Sequence, residues 1–106
     1  MKYTIDGKEY TEFDINKRCA ELIGVLVESR CDRNGAYVIT QDSRDYDPCN
    51  NPEDAWPIIE KCWDDLNRFV PNGITMVSKW RNIIEIHNCL KLVAACICFI
   101  ELENGK

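Results

Sequence analysis

The chain has 106 residues, 45% of them hydrophobic and 29% charged, with a formal net charge of -5 from 18 acidic and 13 basic side chains. Its length predicts a single domain over 1–106, because one core serves chains up to roughly 250–300 residues, and the hydrophobic share with three Trp excludes a disordered chain. The acidic balance disfavours a nucleic-acid partner, whose affinity comes mainly from Lys and Arg neutralising phosphates, and favours a protein partner with a basic surface.

Residues 3–11 (YTIDGKEYT) alternate about Asp6-Gly7, a dipeptide suited to the positive φ angles of a tight turn, and predict a short N-terminal hairpin. Asp14 is placed to cap a first helix. Its apolar stripe is Ile15, Cys19, Leu22 and Ile23, and Gly24 ends it with a left-handed residue. VLVESRC and AYVIT flank Asp32-Arg33-Asn34-Gly35 and predict a hairpin of roughly 25–31 and 36–40.

The polar segment 41–51 (QDSRDYDPCNN) reads as the longest loop. Asn51 caps a second helix with Pro52 at its first position, where the missing N–H costs nothing, and Glu53 and Asp54 favour the positive end of the helix dipole. The expected buried stripe is Ala55, Ile59, Cys62, Leu66 and Phe69, flanked by Trp56 and Trp63, which share a face and read as core. Pro57 removes a hydrogen bond to Glu53, so either the helix kinks there or 52–56 is a separate turn. Pro71-Asn72-Gly73 ends the element.

ITMVSKW and NIIEIH predict two further strands in a tight hairpin around Trp80 to Asn82. Asn88 is placed to cap a final helix running to about 102. From Cys89 to Ile100 only Lys91 is charged, so this helix is either buried or docks a second face elsewhere. Its apolar run, Leu92 to Ile100, is too short to span a bilayer, which needs about 20 residues.

Seven Cys, an odd number, follow a start with no apolar export segment, and they read as reduced core thiols of a cytosolic protein. Zinc would need closely spaced ligand pairs. The one close pair, Cys96 and Cys98, lies on a helix where the side chains diverge by about 160°, so no metal site is predicted. DSRDYDPCNNPE lacks the third-position ligand and the glycine of a calcium loop. His87, with Cys89 two residues on, shows no third group to orient a nucleophilic pair. No catalytic residue and no cofactor is expected, and the chain does not read as an enzyme.

Binding chemistry remains. Asp42, Asp45, Asp47, Glu53, Asp64 and Asp65 would meet a basic protein surface, and Trp80, Trp56 or Trp63 would anchor the contact if exposed. Lys79, Trp80 and Arg81 carry the alternative, a basic pair around an aromatic that could stack on a base. The surplus apolar face of the last helix offers a surface for a homodimer.

FDINKRCAE (13–21) and YDPCNNPEDAWPII (46–59) resemble the NinX-type proteins of tailed phages and prophages. The shared pattern is an early helix opening like DINK-x-x-A-E, then Asn-Asn, then Asp-Ala-Trp-Pro-Ile-Ile opening the second helix, with an alanine-bearing apolar helix at the end (LVAACICFIELE, 92–103). The N-terminal hairpin, the Asn34-Gly35 loop and the Cys-rich last helix depart from it. The resemblance implies a phage or prophage origin, hence the bacterial cytoplasm, and a motif that requires Pro57 near a helix start. It transfers no active site.

The expectation is therefore an α+β fold, three helices packed on a roughly four-stranded antiparallel sheet with a short N-terminal hairpin. The expected function is that of a phage accessory protein acting by stoichiometric protein–protein binding, in its narrower form inhibition of a host defence complex such as a CRISPR effector. The alternative is a nucleic-acid-associated factor in phage replication or recombination.

Overall fold

The computed structural model describes residues 2–67 and 74–105, with side chains described over 2–62 and 79–105. The N-terminal hairpin forms as expected: β1 (Lys2–Ile5) pairs antiparallel with β2 (Lys8–Thr11), Tyr3 opposite Tyr10. Asp6 and Gly7 both take positive φ, 50° and 82°, the backbone that a two-residue turn of matching twist requires. Tyr3, Ile5 and Tyr10 are buried while Lys2, Thr4 and Glu9 between and beside them are exposed, so one face of the hairpin joins the core.

Helix α1 (Glu12–Ile23) starts two residues before Asp14. Thr11 is the N-cap, its hydroxyl accepting the Asp14 N–H at 3.2 Å, and the Asp14 carboxylate accepts the Thr11 N–H at 2.9 Å. Asp14 thus caps in reverse, as the far half of a capping box. Gly24 ends α1 in the left-handed region (φ 88°), its N–H bonded to the Ala20 carbonyl. The helix serves two apolar clusters. Ile15 and Cys19 enter the main core, while Phe13 and Ala20 meet Val38 and Tyr46.

Strands β3 (Val27–Asp32) and β4 (Gly35–Thr40) form the second hairpin, with Ser29 opposite Val38 and Asp32 opposite Gly35. Segment 44–46 lies along the outer edge of β4, through Thr40 N–H to the Arg44 carbonyl (2.8 Å) and Tyr46 N–H to the Val38 carbonyl (2.9 Å). The α+β class holds, but the strands form two separate two-stranded sheets rather than one.

Helix α2 (Pro52–Asn67) runs through Pro57 without a separate first turn. Asn51 accepts the Glu53 N–H through Oδ1 at 3.0 Å, as an N-cap does. Its inward line is Asp54, Ile58 and Cys62, with Ala55 beside it and Ile59 partly buried. Residues two apart diverge by about 160°, so burying Asp54 turns Trp56 outward, and Trp56 is 59% exposed instead of core. The expected core roles of Trp63, Leu66 and Phe69, and the Pro71-Asn72-Gly73 terminator, lie outside the described residues.

The largest difference is α3 (Ile74–His87), a helix where two strands were expected. Its inward side chains are Trp80, Ile83, Ile84 and His87, spaced i, i+3, i+4, i+7 as a helix requires. Arg81, Asn82, Glu85 and Ile86 face out. Asn88, at φ 50°, ends α3 as a left-handed residue instead of capping the next helix. Helix α4 (Lys91–Asn104) has Leu90 at its N-cap without a side-chain bond.

Val93 to Ile100 in α4 are all buried to within 1%. Helices α1, α2 and α3 and strand β1 pack around it, so the second face that offered a homodimer contact is covered by the chain itself. No single helix among the described residues is long and apolar enough to cross a membrane. Phe99→Ala should lower the unfolding free energy by about 3–5 kcal/mol, and Trp56→Ala should change it by less than about 0.5 kcal/mol; urea unfolding followed by far-UV circular dichroism measures both.

Candidate protein-binding groove

The loop between β4 and α2 is ordered by its own polar side chains. Asp54 is 6% exposed; its Oδ1 accepts from Arg44 Nη1 at 3.1 Å and its Oδ2 from the Asp47 N–H at 2.9 Å. Burying a carboxylate is tolerable only with such partners. The Asp47 carboxylate in turn accepts from Asn16 Nδ2 at 2.9 Å and from Asn50 Nδ2 at 3.1 Å. Asn50 Nδ2 also reaches Glu12 Oε1 at 3.0 Å, and Asn16 Oδ1 accepts the Cys49 N–H at 3.2 Å. This network ties the start of α2 to the first turns of α1.

Between α1, the tip of the β3–β4 hairpin and this loop lies an open groove of about 470 Å³. Four carboxylates line it, from Glu12, Asp32, Asp45 and Asp47, together with Tyr37, Asn34 and Asn50, and among the described residues no Lys or Arg does. The Asp32 carboxylate accepts the Asn34 N–H at 2.8 Å within the hairpin turn. The donors to Glu12, Asp32 and Asp47 are all neutral amides, which hold the carboxylates in place without cancelling their charge.

Of the residues singled out in sequence, the groove brings together Asp45 and Asp47. Asp42 lines a different depression, beside Gln41 and Arg44. Glu53 is exposed in the first turn of α2. The side chains of Asp64 and Asp65 lie outside the described residues. Trp80 is half-buried and packs on the core, and it borders an apolar hollow with Arg81 and Ile84. Its indole Nε1 is buried with no hydrogen bond of ordinary geometry, the Cys98 thiol being its polar neighbour. Lys79 is ion-paired to Glu101 at 3.7 Å, and Arg81 is exposed. Glu12, Asp32 and Tyr37 are the residues that sequence reasoning missed. Their signal is tertiary, since only the fold lays the start of α1 against the hairpin tip.

Beneath the groove the core is rich in sulfur. The Cys96 thiol contacts those of Cys19 and Cys49, and Cys62 contacts Cys98. Cys19 Sγ also lies 3.9 Å from the Cys96 carbonyl, and Cys62 Sγ lies 4.0 Å from that of Ala95. Contact with Cys96, then burial, pushes the Cys49 thiol well above its ordinary value of 9.0. Burial, helped by Cys19, Cys96 and Asp54, pushes the Tyr46 hydroxyl well above 10.0 against the opposing effect of Arg44. Contact with Cys62, aided by Lys79 and Trp80, holds Cys98 down. Among the described residues no group of three His, Cys, Asp or Glu side chains is placed to hold a metal ion.

The family model described as Bacteriophage P22, NinX matches residues 8–102. The match starts inside the N-terminal hairpin, at β2, and takes in every later element nearly to the end of α4. No curated protein and no solved structure matches the chain. The chain belongs to the NinX family of phage proteins.

Asp54→Ala leaves the Asp47 N–H without its acceptor and should lower stability by about 1–3 kcal/mol, whereas Asp45→Ala should stay within about 0.5 kcal/mol; urea unfolding distinguishes them. Cys49 and Tyr46 are held neutral in the fold, so their contribution is present below pH 9.0 and lost as pH rises beyond 9.0 and 10.0, where the unfolded chain releases those protons. Cys98, shifted the other way, opposes this through one group. The melting temperature should therefore hold from neutral pH to about 9 and fall above it.

Proposed function

On the premise of a NinX-family phage protein, we propose that the chain acts by stoichiometric binding to a host or phage protein that presents a basic surface to the acidic groove. The observation that carries this reading is that the groove gathers four carboxylates, with no Lys or Arg lining it among the described residues. Clefts lined by one sign of charge focus potential and speed the approach of an opposite surface. Exposed Tyr37 on the rim is of a type enriched at interface cores. Host takeover or inhibition of a defence complex, such as a CRISPR effector, in the bacterial cytoplasm is the narrower form of the proposal; it rests on phage membership and negative charge. A nucleic-acid role through Lys79, Trp80 and Arg81 lacks comparable support, because Lys79 is spent on Glu101 and Trp80 is half-buried.

Affinity purification of tagged protein from its host, with and without phage infection, tests the reading. Wild-type protein should recover a partner near one-to-one at physiological salt, with recovery falling as salt rises. The Glu12→Lys/Asp32→Lys/Asp45→Lys variant should lose that partner while keeping its circular dichroism spectrum. Equal recovery by both forms, or nothing above background from wild type, would overturn the proposal.

A further inference from the structure

The β3–β4 hairpin leaves one backbone edge open. Residues 28–37 are all exposed, and β3 pairs with β4 but with no other strand among the described residues. Which groups the open edge presents follows from alternation. Val38 and Thr40 turn their carbonyl and N–H outward to Tyr46 and Arg44, so their partners across the hairpin, Ser29 and Val27, sit in non-hydrogen-bonded pairs. Cys31, opposite Ala36, has the same parity. The outward N–H and C=O groups of β3 are therefore those of Val27, Ser29 and Cys31. None of them is bonded by a turn, loop or further strand among the described residues. A strand edge of this kind is a template for another chain.

We propose that a second copy of the chain occupies this edge, β3 pairing antiparallel with β3 about a two-fold axis at Ser29. Outward groups must meet outward groups, and an axis at either end of the outward set, Val27 or Cys31, would pair only that one outward residue with its copy, which leaves registers centred on Glu28, Ser29 or Arg30. Centring on Glu28 sets that carboxylate against its own copy. Centring on Arg30 sets Arg30 against its copy and Glu28 against Asp32. Only centring on Ser29 places each Glu28 opposite the Arg30 of the second copy, with each Val27 opposite a Cys31. Within one chain Arg30 Nη2 already lies 3.2 Å from Glu28 Oε2 on the same face. The pairing closes a ring of four alternating charges, and opposite charges directly across strands stabilise a sheet while like charges destabilise it. The interface is isologous, as a two-fold dimer requires, and it joins the two hairpins into one four-stranded sheet. The groove is lined mainly from β4, α1 and the loop before α2, with Asp32 its one lining residue from β3, and the dimer stands whether or not the groove binds a basic partner.

Charge reversal and cross-linking test the register. Sedimentation equilibrium of wild type should show a dimer that dissociates on dilution. Arg30→Glu and Glu28→Arg should each weaken it about tenfold or more. The double variant Glu28→Arg/Arg30→Glu should restore it, which shows that the single variants fold. Ser29 and its copy would face each other at about 5.5 Å between Cα atoms, inside the range that a disulfide spans. The Ser29→Cys/Cys31→Ser variant should therefore cross-link under mild oxidation. Cys31 in wild type should not, because its copy is displaced by four residues, about 13 Å along the strand. A wild type that is monomeric at all concentrations, a dimer indifferent to Arg30→Glu, or a Ser29→Cys/Cys31→Ser variant that forms no cross-link would overturn the proposal.

Discussion

The constraint on which the rest depends is the enclosure of α4. Eight consecutive residues, Val93 to Ile100, are buried on every side, and a helix that is apolar all round has no stable place at a surface. Three helices and a hairpin must therefore surround it. Ala94, Ala95, Cys96 and Cys98 are small enough to let those neighbours approach closely, while Phe99, Ile97 and Ile100 fill the spaces between. This also accounts for the cysteines. A reduced thiol behaves as a small buried hydrophobe with a weak donor, and Cys19 and Cys62 direct theirs toward backbone carbonyls of α4. Substituting Ser at either site would put a stronger polar group into a space that offers it little.

Enclosing α4 does not by itself place α2 against α1. That second task falls to Asp54 and Asp47, two buried or half-buried carboxylates bonded into one network with Arg44, Asn16 and Asn50. The same turn of α2 that buries Asp54 exposes Trp56 and carries Pro57. The proline and the tryptophan lie on the solvent side, where the Glu53 carbonyl left without a donor can be hydrated. A proline that would break a buried helix face is tolerated here because the buried face is elsewhere.

Much of this was legible in the residues. Asp6-Gly7, Gly24, Asn51-Pro52 and the Asn34-Gly35 hairpin each carry a local conformational demand that no distant contact overrides, and each stands where it was expected. The misreading of α3 has a definite cause. ITMVSKW and NIIEIH are rich in strand-favouring side chains, but Trp80, Ile83, Ile84 and His87 recur at the helical period, and Trp80 to Asn82 contains no turn-forming glycine or proline. Periodicity was the stronger signal. Asp14 and Asn88 were displaced within their motifs for a related reason: a capping residue names a helix end but not which side of the cap it occupies. The exposure of Trp56 and the gathering of Glu12 and Asp32 with Asp45 were not local properties at all. They depend on a carboxylate in α2 finding an arginine ten residues earlier.

The distribution of charge follows from the same division of labour. Five acidic side chains away from the groove are paired with cations: Glu9 with Lys2, Glu21 with Arg18, Glu28 with Arg30, Asp54 with Arg44 and Glu101 with Lys79. In the groove Glu12, Asp32 and Asp47 are held by amides alone, and the Asp45 carboxylate has no partner among the described residues. Exposed ion pairs contribute little stability, yet each cancels a local field. The groove, without an ion pair among the described residues, concentrates four negative charges in one cleft. Repulsion within such a cleft is a standing cost of the fold. The amide network bears it by satisfying the carboxylates without neutralising them, and that combination is the physical basis for reading the groove as a place where positive charge docks.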